Sequence, residues 1–219
     1  KGVKGSLYFW LSASIFKKVI NIPNGARFFS YKERLSIDKS VKFISVGSLR
    51  YQKNFTIAIK ALSHLKNIDW HYEIIGTGPL KTQLEKLINS LGLQDKVTLS
   101  GWCTNLEGKY HNADIQLLPS RFEGFGLIAV EGMSTGLPVI ASDVPGLNEV
   151  VSDSIESCFL VKDINNIDAW VDQIKLCINA LEKNLPHISK ESYQHSQKFS
   201  LSKMTKSYID LYIQVLKNE

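Results

Sequence analysis

Glu123 and Glu131 stand in the stretch RFEGFGLIAVEGMSTGLPVIASD, Arg121–Asp143, with seven residues between them. Glu131 is the only charged residue between Gly124 and Ser142, set among Leu127, Ile128, Val130 and Met133. A carboxylate buried without partners costs several kcal/mol. Glu131 must therefore meet a partner or lie along a cleft. Glu123 precedes Gly124 and Gly126, where a helix over about Phe125–Thr135 is expected to begin. Unpaired N–H groups and the helix dipole make such a start an anion site. A carboxylate at its mouth is ionised and in reach of sugar hydroxyls, or is simply a first-turn acid favoured by the dipole.

At a helical rise of 1.5 Å per residue, the path from Gly124 to Glu131 is roughly 10 Å. Two acids acting on one glycosidic bond stand roughly 5–9.5 Å apart. The spacing instead suits one acid at each end of an elongated ligand, such as a sugar joined to a ribose.

Other candidates sit where strands end. GSLRYQKN, Gly47–Asn54, carries Arg50 and Lys53 just before a helical pattern, which reads as a cationic anion site or as two solvated charges. In GTGPL, Gly76–Leu80, Gly76 and Gly78 allow a close backbone approach to a ligand, or form only a tight strand–helix turn. The third glycine of a dinucleotide fingerprint falls on Lys81, and the Gly-Lys-Ser/Thr of a P-loop is missing. Trp102, in GWCTN, either lies beside a flat base or fills a gap. Cys103, Cys158 and Cys177 are widely spaced and do not combine with the five histidines into a ligand pattern, so no metal site is expected.

The elements that must position these residues alternate. Apolar, β-branched runs at Val41–Gly47, Tyr72–Gly76, Lys96–Gly101, Ala113–Ser120, Pro138–Ser142 and Cys158–Val161 read as strands. Helical spacing covers Phe55–Lys66, Leu80–Gly92, about Phe125–Thr135, about Ile167–Ala180 and Lys203–Leu216. His111 falls on a short helix, and a further helix start follows Pro145–Gly146. This order predicts a Rossmann-like three-layer α/β/α domain with a parallel sheet of about six strands. Ligands of such sheets sit beyond the carboxyl ends of the strands.

At 219 residues the chain is long enough for a sizeable core, and its net charge of +5 is mild. Leu7–Phe16 is too short to span a bilayer. With Lys1, Lys4, Lys17 and Lys18 around it, it reads as a helix that packs on protein, or as a basic helix on an acidic membrane.

Together these residues resemble the nucleotide-sugar-binding, C-terminal half of the family 4 retaining glycosyltransferases, which have the GT-B fold. The family motif, Glu-x7-Glu, reads EGFGLIAVEGMSTGLPVIAS from Glu123. IPNG (Ile22–Gly25), SVGSL…QKN, IIGTGPL, LSGW and ADIQLLPS stand around it in the family's order. The resemblance covers about Asn21–Val161 and, more loosely, the C-terminal helices.

The resemblance implies that Glu131 binds the ribose hydroxyls and that Glu123 lies by the transferred sugar. It implies that the amides at Phe125, Gly126 and Leu127 meet sugar or phosphate oxygens, beside Gly124. Lys53 matches the lysine that holds the pyrophosphate. The family's arginine after Gly47 is Ser48 here, and Arg50 is the nearest replacement. Gly47, Ser48, Gly76, Gly78 and Trp102 complete the expected donor site. No divalent metal and no cofactor are implied beyond the donor, a UDP- or GDP-sugar, because cations and a helix N-terminus stabilise the leaving diphosphate. Nucleic acid is not an implied partner. The resemblance also implies retention, with the acceptor attacking on the face that the leaving group departs from.

On this reading residues 1–20 are a linker or remnant of a missing acceptor domain and 21–219 are the donor domain. The implied setting is cytoplasmic, with or without peripheral membrane contact, and the acceptor is a saccharide or lipid-linked saccharide. The chain alone is expected to bind donor without efficient transfer. The rival readings are a nucleotide-sugar epimerase-like domain and a catalytically dead nucleotide-binding or docking module.

Overall fold

The computed structural model describes residues 20–217. Six strands form one sheet: β1 (Ser40–Val46), β2 (Asp69–Ile75), β3 (Val97–Gly101), β4 (Ile115–Leu118), β5 (Val139–Ser142) and β6 (Cys158–Val161). Every pairing is parallel and the order is β3-β2-β1-β4-β5-β6. The helices are α1 (Phe55–Ser63), α2 (Lys81–Ser90), α3 (Leu106–His111), α4 (Leu127–Ser134), α5 (Ile167–Ser196) and α6 (Leu201–Lys217).

The central strands are mostly apolar, with Ser45 and Gln116 buried among the apolar residues, because helices cover both faces of the sheet. Phe43, Tyr72, Ile74, Leu117, Ile59, Leu62 and Trp170 fill one side. Leu118, Ala129, Val130, Met133, Val139, Ala141 and Leu147 fill the other. The expected three-layer Rossmann-like architecture is therefore the one observed.

Several boundaries differ. β2 starts at Asp69 rather than Tyr72, because DWHYEII pairs with β1 along its whole length. The helix from Ile167 runs on to Ser196, not to Ala180, with a break at Asn184 (φ −158°, ψ 63°). Pro186 removes an N–H and disfavours helix in the residue before it. The Asn184 side chain then accepts from His187 N at 3.4 Å, capping the second segment. After Pro145–Gly146 there are successive turns instead of a helix, tied by Leu147 N to Val144 O at 3.1 Å and Val150 N to Leu147 O at 3.0 Å. The helix expected around Leu7–Phe16 lies outside the described residues. Among the described residues no helix is long and apolar enough to cross a membrane.

The glycines after β2 make close backbone approaches within the protein. On the side a Cβ would occupy, both lie against the β1 exit. A Cβ on Gly76 would strike the Gly47 carbonyl, and one on Gly78 would lie 2.7 Å from Leu49 N. The two exits interlock through Leu49 N to Thr77 O at 2.9 Å and Leu80 N to Leu49 O at 3.0 Å. Gly78→Ala is expected to destabilise the fold by about 1–3 kcal/mol, the range for overpacking. Urea unfolding followed by circular dichroism would measure it, and an unchanged midpoint would refute the interlock.

Candidate donor-binding crevice

β1 pairs with β2 on one side and with β4 on the other. The loops leaving β1 and β4 therefore flank the topological switch point, where such sheets take a ligand in the crevice beyond the strand ends. Lys53 and Glu123 arrive there from the two sides, Lys53 from the loop after β1 and Glu123 from the loop after β4.

Lys53 ends a one-turn 3-10 helix, Tyr51–Lys53, and Asn54 follows in a left-handed conformation (φ 50°). The lysine stem lies across the bare Cα of Gly47, where a Cβ would stand 3.0 Å from Lys53 Cε. Its ammonium donates to Glu123 Oε2, and the two side chains are only 14% and 19% exposed. Ser120 Oγ stands 3.5 Å from the same oxygen. Gly146, on the turn after β5, packs against the Glu123 carbonyl and backs the loop. Water is thus largely excluded from this pair, so the charges interact more strongly than surface ions do.

Gly126 caps α4 with φ 77°, a conformation that strains any residue with a Cβ, and its Cα lies against Leu147. The helix consequently starts at Leu127, two residues later than expected. The unpaired amides of its first turn belong to Gly126, Leu127 and the next residue. Phe125 lies ahead of that turn, its ring edge-on to Phe199 at 5.9 Å.

Along α4, Ala129, Val130, Gly132 and Met133 are buried, while Leu127, Ile128 and Glu131 form the open stripe. Glu131 is half-buried, and its carboxylate accepts no hydrogen bond among the described residues. Burial pushes its pKa up, and the charge of Arg27 pulls it partly back. Burial, then the Glu131 charge, raises the nearby Tyr110 phenol well above its usual value.

Two positioning residues escaped the sequence reading. Gln116, fully buried in β4, donates to Ile128 O at 2.9 Å and lies against Gly132, fixing where α4 sits. Its signal was a lone polar residue inside the strand DIQLL. Arg121, just before Glu123, ties the crevice loops together through Gln52 and Asn54.

Arg50 is exposed at the same edge and makes no side-chain hydrogen bond or ion pair among the described residues. Gly47, Ser48 and Gly124 line the same exits. Trp102 is 75% exposed after β3, two strands away from β1, so it does not join the Lys53–Glu123 pair. Gly76 and Gly78 support the β1 exit from behind.

This fold defines a class: a Rossmann-like α/β domain of the kind that makes up half of a GT-B molecule. The chain belongs to the glycosyl transferases group 1 family, whose model matches residues 27–194. It is 32% identical over 149 residues to the lipopolysaccharide core biosynthesis mannosyltransferase LpsB of Rhizobium meliloti, covering 64% of this chain and 42% of that protein. The lipopolysaccharide outer core galactosyltransferase WaaB, in its apo form, superposes with a TM-score of 0.79 at 21% identity, over 96% of this chain and 59% of that one. Anabaena Alr3699/HepE, solved in complex with UDP and glucose, superposes with a TM-score of 0.71 at 21% identity, over 80% of this chain and 49% of that one. The chain spans about half the length of the curated relatives it matches.

Proposed function

We propose that this chain is the donor-binding domain of a retaining glycosyltransferase that uses a nucleoside-diphosphate sugar, in the synthesis of bacterial surface polysaccharide or a related glycoconjugate. One observation carries the reading: a cation and a carboxylate from opposite sides of the switch point meet beside a helix N-terminus, and further along that helix stands a half-buried carboxylate that accepts no hydrogen bond among the described residues. In this role Lys53, with Arg50 at the rim, holds the diphosphate. The amides of Gly126 and Leu127 take the oxygens nearest the sugar, Glu123 takes a sugar hydroxyl, and Glu131 takes the ribose hydroxyls. Charge building on the leaving diphosphate is met by fixed cations and the α4 dipole, so the chemistry needs no metal.

The names of the relatives support the biological setting. LpsB is a lipopolysaccharide core mannosyltransferase and WaaB an outer core galactosyltransferase. HepE was solved with UDP and glucose, which supports a UDP-sugar. The acceptor, a saccharide or lipid-linked saccharide, is then presented by a second domain across the crevice. Residues 21–219 bind donor by themselves but do not transfer it efficiently.

Calorimetry with UDP-, GDP- and ADP-sugars, with and without EDTA, tests this reading. Binding of one nucleotide class, unchanged by chelation, is expected. A folded chain that binds none of them overturns it.

A further inference from the structure

We propose that Arg121 is a positioning residue: it clamps the β1 and β4 exits together and thereby sets the Lys53–Glu123 pair. The proposal rests on the reading of that pair as the diphosphate and sugar site. Arg121 N donates to Gln52 O at 2.7 Å, one residue before Lys53. Its guanidinium lies over the Tyr51 ring, 4.5 Å from the centroid. One terminal nitrogen donates to Asn54 Oδ1 at 3.1 Å, one residue after Lys53. The other donates to Asn165 Oδ1 at 2.8 Å, in the loop after β6. Arg121 therefore grips the 3-10 turn on both sides of Lys53, while its own backbone is two residues from Glu123.

One N–H of each terminal nitrogen is committed and one face lies over Tyr51, while the buried Nε has no partner among the described residues. Asn54, which it bonds, is 7% exposed and left-handed, and it both ends the 3-10 turn and begins α1. A planar fork that stacks and donates in two directions suits arginine and not lysine. The role is thus geometric: without the clamp the two loops part, and Lys53 and Glu123 no longer share one crevice.

The test combines UDP calorimetry with hydrogen–deuterium exchange on five chains: unsubstituted, Arg121→Ala, Arg121→Lys, Lys53→Ala, and Arg121→Ala with Lys53→Ala. Arg121→Ala and Arg121→Lys are both expected to bind UDP roughly tenfold more weakly, the scale of one lost charge-assisted contact. The double variant is expected to bind no more weakly than Lys53→Ala, because residues that act as a unit are not additive. Exchange is expected to quicken in residues 48–54 and 120–126 and not in β5. Losses that multiply would make Arg121 an independent ligand contact and overturn the proposal. So would Arg121→Lys behaving as the unsubstituted chain. If the unsubstituted chain binds no UDP, the site reading fails, and the exchange arm still decides the clamp. Unchanged exchange in both loops of Arg121→Ala overturns it.

Discussion

Replacing Lys53 with methionine is expected to weaken UDP binding by roughly 10- to 100-fold, the equivalent of one charged hydrogen bond of about 1.5–3 kcal/mol. Methionine keeps most of the stem that lies over Gly47 and removes only the charge. In the free protein the ammonium is not vacant, since Glu123 occupies it. A diphosphate must therefore compete with, or share, an existing partner. The companion substitution separates the two members of the pair. Glu123→Gln releases Lys53 from its carboxylate, so it is expected to bind UDP at least as tightly as the unsubstituted chain. It is also expected to lose the extra affinity that an attached sugar confers. Both variants leave one charge of a mostly buried pair without its partner, so both are expected to unfold earlier in urea. A Lys53→Met chain that binds UDP normally would remove Lys53 from the diphosphate site. Equal losses for UDP and UDP-sugar in Glu123→Gln would remove Glu123 from the sugar.

Glu131→Ala is expected to lose roughly 10- to 100-fold in donor affinity, since a carboxylate bridging two ribose hydroxyls makes charge-assisted bonds. A sharper reading comes from UDP against its 2′-deoxy counterpart. The unsubstituted chain should prefer the ribonucleotide, and Glu131→Ala should not. The same carboxylate weighs against the free fold. Its pKa is raised by burial, so the folded state favours the protonated form. The penalty is absent below the unfolded glutamate value, grows as pH rises, and is complete above the raised folded value. Glu131→Gln is therefore expected to raise Tm at pH 7 and to leave it unchanged below about pH 4, under the ordinary glutamate pKa. A ligand-free Gln variant that melts below the unsubstituted chain at pH 7 would contradict this.

The architecture was legible in the chain because each strand is a short apolar run followed by glycine and a helical pattern. Val41–Gly47, Pro138–Ser142 and Cys158–Val161 coincide with β1, β5 and β6 to within a residue or so. The boundaries that moved depend on neighbours or on one local break. Asp69, Trp70 and His71 look like a loop alone, yet they pair with Ser40, Val41 and Lys42 in β1. The run around Asn184 looks like a helix end, and the chain does break there, but the helix resumes because Ile188 and Ser192 bury against the rest of the fold.

The sequence by itself determined the residue types and their order: a carboxylate, a glycine-rich helix start, a second carboxylate on the same helix, and a lysine after the first strand. Those follow from local spacing and helix geometry. Only the tertiary structure decided which of them meet. Lys53 and Glu123 are 70 residues apart, and they touch because the strand order sets β1 beside β4. The same order leaves Trp102 two strands away and sets Gly76 and Gly78 against the β1 exit. It also creates the roles of Arg121 and Gln116, whose partners lie in other elements. Proximity across a parallel sheet is a property of strand order, and no local pattern encodes it.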